Sequence, residues 1–205
     1  MQYRFTQTIL HSQNRLKRLR EKLGINKSKK VLLYAPTFRD DGSMEAYDLN
    51  FKEVLSAMHH KFDGEWIALL RFHPNVSHIN KIPTDGKVII NVSKYGDVQE
   101  LIAISDVLIT DYSSIYHDFF ITNKPVFLYT KDIEHYIAKD RQLRPEYFKI
   151  GLNRNKTMAT LLKDIMNFNL EAYQNLVMEY RKETGAIADG KATQRVVEYI
   201  KQYLQ

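Results

Sequence analysis

Five short apolar runs, each the length of one strand, constrain this chain more than any other feature. They are Val31 to Ala35, Trp66 to Phe72, Lys87 to Asn91, Val107 to Thr110 and Val126 to Tyr129. Most read as continuous rather than alternating, which is the pattern of strands covered on both faces. Helical patterns lie between them. One spans Phe51 to His60. One starts at Asp97 with Glu100 three residues on, a capping-box-like pair, and one runs from Ser113 to Phe120. Strands alternating with helices predict an α/β fold with a Rossmann-like, doubly wound parallel sheet.

The flanks read differently. From Phe5 to Leu23, Phe5, Ile9, Leu16, Leu19 and Leu23 recur at helical spacing, with Gly24 as a stop. Residues 1–30 are therefore expected to be an amphipathic basic helix and linker, and 31–205 the Rossmann-like domain. The domain ends in helices only, from Thr157 to Phe168, Leu170 to Glu183, and Lys191 to Leu204 with Asp189 as N-cap. The net charge of +6 and pI near 9.3 favour an anionic partner. Arg15, Lys17, Arg18, Arg20, Lys27, Lys29 and Lys30, with Lys22 between them, put eight cations within sixteen residues. Such a segment is either a solvated helix face or a surface for anionic lipid. No cysteine is present, which excludes disulfides, thiol catalysis and cysteine-ligated zinc. No apolar run approaches the roughly 20 residues that cross a bilayer. The N-terminus has no signal-peptide pattern, so the expected location is the cytoplasm, free or peripheral on the inner face of the membrane.

Ligands of open α/β sheets bind outside the carboxyl ends of the strands. The segments that follow the strands carry the most distinctive chemistry in the chain. Ser105-Asp-Val-Leu-Ile-Thr-Asp-Tyr-Ser-Ser114 runs from a buried strand into a helix start. Ser113 and Ser114, with their backbone N–H groups, would cradle a phosphate; the competing reading is that they only cap the helix. Asp111 is acidic, so it would orient a neighbour or accept from a sugar or glycerol hydroxyl. His73 stands between a strand and Pro74, and Arg71 lies two residues before it on the same side. An imidazole there can donate to a phosphate oxygen or protonate a leaving phosphate. Arg39 would grip a phosphate with its fork, or pair with Asp40 or Asp41. His117 reads as structural. The pair His59-His60 lacks a partner at zinc spacing, and Asp40-Asp41-Gly42 lacks the remaining ligands of a calcium loop. No Walker loop, no G-x-G-x-x-G and no nucleic-acid-binding module is present.

At these residues the chain resembles CDP-glycerol glycerophosphotransferases, the teichoic-acid primases and polymerases of Gram-positive bacteria. The resemblance rests on Tyr34-Ala-Pro-Thr-Phe-Arg-Asp-Asp41, Arg71-Phe-His-Pro74, Ser105 to Ser114, Lys124-Pro-Val-Phe-Leu-Tyr129, Glu134-His-Tyr136 and Asp189-Gly-Lys-Ala192, in that order. It implies the C-terminal, donor-binding half of a GT-B fold and catalysis without metal or cofactor. It also implies a CDP-glycerol or CDP-ribitol donor and a polymer or lipid-linked acceptor, with no nucleic acid. His73 matches the histidine that helps CMP leave. Arg39, Arg71, Asp111, Ser113 and Ser114 match residues expected to line the donor pocket. Two departures stand out. The His-Gly-Thr-Pro motif of the family's preceding domain does not occur in these residues. The family's Leu-Arg-Gly-Phe-Tyr segment reads Gln142-Leu-Arg-Pro-Glu-Tyr147 here, which leaves the places of Arg141 and Arg144 open. Two other functions fit the same residues: a non-catalytic nucleotide-binding or assembly module of a cell-wall polymer complex, and another GT-B transferase or epimerase.

Overall fold

The computed structural model describes residues 13–41, 47–73, 84–187 and 189–204. After helix α1 (Gln13–Lys22), strands β1 (Lys29–Tyr34), β2 (Glu65–Leu70), β3 (Ile89–Asn91), β4 (Val107–Thr110), β5 (Val126–Tyr129) and β6 (Arg154–Asn155) form one sheet. Helices α2 (Phe51–Phe62), α3 (Val98–Ile104) and α4 (Ile115–Phe120) connect them. Between β5 and β6 lie α5 (Ile133–His135), a π-helical turn (Tyr136–Asp140) and α6 (Pro145–Lys149). The chain closes with α7 (Met158–Met166), α8 (Leu170–Thr184) and α9 (Ala192–Lys201).

All strand pairs are parallel, in the order β3-β2-β1-β4-β5-β6. The expected Rossmann-like sheet is thus present, and its strand order reverses between β1 and β4. The sixth strand is two polar residues, too short to carry an apolar signal.

Why the runs are continuous is visible in the packing. Side chains alternate faces along a strand. Val31, Leu33, Ile67, Leu69, Leu108 and Leu128 enter one core with Leu101, Ile102, Phe119 and Phe120. Leu32, Tyr34, Ala68, Leu70, Ile109 and Phe127 enter the other with Val54, Met58, Leu161 and Ile165. Both faces are dry, so neither parity is polar.

Helix starts follow their caps. Asn50 accepts from Glu53 N, Asn169 from Ala172 N, and Thr157 forms a reciprocal box with Thr160. Asp97 caps α3 through Gln99 N, but the expected box with Glu100 does not form. The Glu100 carboxylate is drawn away by the Tyr95 hydroxyl and the Arg15 guanidinium. Nor does Asp189 stand at the N-cap of α9. That position is Lys191, and Asp189 instead accepts from Lys191 N and pairs with Arg195.

The N-terminal helix is described from Gln13 to Lys22; the expected turns from Phe5 to Ser12 lie outside the described residues. Leu19 and Ile25 join the first core, with Leu16 and Leu23 packed against it. Arg20 donates to the carbonyls of Ile104, Asn26 and Lys29, tying α1 to α3 and β1. Gly24 ends the helix at φ +68°, a conformation that disfavours a side chain. No described helix is long and apolar enough to cross a membrane.

Candidate donor-binding site

At the point where the strand order reverses, the chain leaving β1 and the chain leaving β4 turn to opposite sides of the sheet. A crevice opens there by topology alone. A cleft of about 410 Å³ occupies it, lined by Thr37 and Phe38 after β1, Arg71 and His73 after β2, and Ser113 and Ser114 after β4. Asp40, Asp118 and Arg141 also line it. Four of the six expected site residues, Arg71, His73, Ser113 and Ser114, therefore share one cavity.

Their local geometry fits an anion. Arg71 is half-buried and anchored by Nη1 to the Tyr95 carbonyl at 2.6 Å. Burial pushes its pKa below the ordinary value while Asp97 opposes this. His73 is exposed, with its ring 5.6 Å from that of Phe38; Pro74 lies outside the described residues. Ser114 occupies the N-cap of α4, yet its side chain makes no capping bond. Ser113 Oγ accepts from Ile115 N only at 3.4 Å. The Ser114 hydroxyl is not consumed by capping and the Ser113 contact is long, which separates this corner from an ordinary helix start.

Arg39 and Asp111 lie elsewhere. Neither lines the cleft; both lie beneath it, Arg39 1% and Asp111 2% exposed. The Arg39 Nε and Nη2 bond Asp132 at 2.6 and 2.9 Å, Nη2 also bonds Asp111 at 2.8 Å, and Nη1 donates to the Thr37 carbonyl at 2.6 Å. Its carbon centre lies 4.9 Å from the rings of both Tyr112 and Tyr136. Burial works against the charge, but Asp132 and Asp111 more than offset it and raise the guanidinium pKa. A group with all three nitrogens engaged has no fork to offer a phosphate. Its partners are not the adjacent Asp40 or Asp41 but carboxylates 72 and 93 residues away.

The hydrogen bonds of Asp111 are made to neighbouring residues. Its Oδ1 accepts from Thr37 N at 2.8 Å, Thr37 Oγ1 at 2.6 Å and Tyr112 N at 2.6 Å, and its backbone carbonyl accepts from Tyr147 OH. This network clamps the ends of β1, β4 and β5 to one another. Two carboxylates do line the cleft, Asp40 after β1 and Asp118, one turn into α4 and held by Gln99 Nε2 at 3.1 Å.

Sequence reasoning missed Asp118 and Asp132 as site elements and left Arg141 open. Arg141 ends the π-helical turn and reaches the cleft from across the sheet edge. Nothing in its local spacing signals that. His117 bonds the Tyr180 hydroxyl through Nδ1, and burial lowers its pKa, a structural arrangement as expected. His59 bonds the Gly64 carbonyl at 2.7 Å at the end of α2. Among the described residues no three His, Asp or Glu side chains gather as a metal site.

Residues 6–202 match the protein family described as CDP-glycerol:poly(glycerophosphate) glycerophosphotransferase. A teichoic acid poly(glycerol phosphate) polymerase of Staphylococcus epidermidis is 32% identical over 93% of this chain and 27% of its own length. A teichoic acid glycerol-phosphate transferase of Staphylococcus aureus is 31% identical over 89% of this chain and 48% of its own. Among solved structures, a variant of the wall teichoic acid polymerase TagF soaked with CDPG superposes with a TM-score of 0.72 and 30% identity. That match covers 99% of this chain and 52% of TagF. A putative UDP-N-acetylglucosamine 2-epimerase from Listeria monocytogenes, at 18% identity and a TM-score of 0.54, shares the fold alone. The chain spans about half or less of the length of these relatives. It belongs to the CDP-glycerol:poly(glycerophosphate) glycerophosphotransferase family.

Proposed function

We propose that this chain is the donor-binding half of a glycerophosphotransferase, taking a CDP-alditol, glycerol or ribitol, as donor and a teichoic-acid-type chain as acceptor. The observation that carries the reading is the convergence of Arg71, His73, Ser113, Ser114 and Arg141 on one cleft at the strand reversal. The serine corner and the two arginines hold the pyrophosphate. Asp118 accepts from a ribose or alditol hydroxyl. An acceptor hydroxyl oxygen attacks the distal phosphorus, a new P–O bond forms, and the P–O bond to CMP breaks. His73 donates a proton to the departing CMP phosphate. The acceptor's own proton passes to a base contributed from outside this chain. Rate depends on holding nucleophile and phosphorus in line, so the cleft needs a facing acceptor surface.

Calorimetric titration with CDP-glycerol, CDP-ribitol and CMP tests the reading, with UDP-N-acetylglucosamine as comparison. CDP-alditols and CMP should bind in preference to the UDP-sugar. Absence of heat at millimolar ligand, with folding verified by circular dichroism, refutes it. His73→Ala should keep CMP binding and abolish transfer in the enzyme that supplies the acceptor side.

The location that fits is the inner face of the membrane, reached through α1. Its exposed Lys17, Arg18 and Lys22 support a weak electrostatic contact with anionic lipid, while Arg15 and Arg20 are occupied within the fold. Co-sedimentation with phosphatidylglycerol vesicles should fall steeply as salt rises from about 50 to about 300 mM, over which the Debye length shrinks roughly 2.4-fold.

A further inference from the structure

The donor cleft does not end at its own wall. A second lobe of about 530 Å³ opens beside it, between the β4 corner, the segment from Tyr136 to Tyr147 and helix α8. The two lobes have four lining residues in common, Thr37, Ser113, Ser114 and Arg141. Each alone falls in the roughly 300–1,000 Å³ range of a small-molecule site, so neither needs the other to hold one ligand.

We propose that this second lobe binds the growing end of the acceptor, a short phosphodiester-linked polyol chain, next to the donor phosphorus. The inference rests on the donor reading of the first lobe. Its logic is chemical. The two substrates of a transfer must meet at one atom, with nucleophile and phosphorus about 3–3.5 Å apart. Residues shared by two adjoining lobes mark where that atom sits, and the lobe not filled by donor is where the attacking end arrives.

The lining suits such a chain. Buried rings of Tyr112, Tyr136, Tyr116 and Tyr147 form one wall, with the Tyr112 and Tyr136 rings stacked 4.1 Å apart. Flat ring faces meet the C–H edges of a polyol, while the Tyr112 and Tyr147 hydroxyls are held by Asp132 and the Asp111 carbonyl and fix the rings in place. Arg141 and Arg144 both line the lobe, two cations for an anionic chain. Glu146 adds an acceptor for hydroxyls, and the His117–Tyr180 pair closes the far end. Arg144 is exposed and outside the first lobe, which makes it the discriminating residue.

The test uses a synthetic tri(glycerol phosphate) titrated into the chain with and without saturating CMP. The trimer should bind equally well in both. Arg144→Ala should weaken the trimer about tenfold, the loss of one charge-assisted contact, and leave CMP affinity within about twofold. Competition between CMP and trimer would overturn the proposal, as would an Arg144→Ala variant that loses CMP but not trimer. Either result makes the lobe part of the donor pocket. A trimer that fails to bind at CMP saturation overturns it too. If the trimer binds while CMP and CDP-alditols do not, the donor reading fails and the polyol-phosphate lobe stands.

Discussion

Replacing Arg39 by methionine removes the cation beneath the cleft and leaves its two carboxylate partners in place. Asp111 is buried, so without Arg39 its charge would rest on the Thr37 and Tyr112 hydrogen bonds alone, with no cation beside it. Asp132 keeps a side chain 21% exposed and can recover some water, so the cost is not the sum of two orphaned anions. Removing one partner of a buried ion pair costs about 3–5 kcal/mol, and that range is expected here. For a chain of 205 residues, this is a fall in melting temperature of about 6–20 °C. Urea unfolding followed by fluorescence of Trp66, the sole tryptophan and 7% exposed, measures it directly. Asp132→Asn should cost less, because an amide oxygen still accepts from Arg39. Burial raises the Asp132 pKa, but Arg39 and the Tyr112 hydroxyl prevail and hold it below the usual carboxylate value. A depressed folded-state pKa means its stabilisation is present above about pH 3.9 and lost as pH falls through the folded value. Asp132→Asn should therefore flatten the acid limb of the stability profile. A loss below about 1 kcal/mol for Arg39→Met, the size of an exposed pair, would refute the view that this cation locks the strand ends.

Other outcomes follow from single contacts. Ser114→Ala should change stability by less than about 0.5 kcal/mol, since Ser114 makes no capping bond, while CMP affinity drops in calorimetry. A stability loss with unchanged affinity would mark it as a cap. Partial desolvation of the His117 ring, on a residue that remains exposed, lowers its pKa, so the folded state slightly prefers the neutral ring and loses a small part of its stability as pH falls from about 6.5. Melting curves between pH 7.5 and 5.5 should shift less for His117→Gln than for the natural chain. Phe119→Ala empties a fully buried ring position between α4 and the sheet, and should cost about 3–5 kcal/mol in urea unfolding.

The course of the sheet could be read from the chain because its cause is local. Val31 to Ala35 and Val107 to Thr110 are apolar at both parities, and only a strand covered on both faces needs that. The strand ends then placed His73, Arg71, Ser113 and Ser114 on one edge, since chain direction in a parallel sheet sends every strand end the same way. The fate of Arg39 had no such local cause. Whether a guanidinium faces ligand or carboxylate depends on which charges folding brings beside it, and Asp111 and Asp132 come from the ends of other strands. Asp118, Arg141 and Arg144 follow the same rule: each enters the clefts through the path of α4 or of the turn after β5. Periodicity and turn chemistry act within about ten residues, and by themselves they determined the elements and the edge where a site could form. Long-range packing decided which charges face that edge and which are spent holding it together.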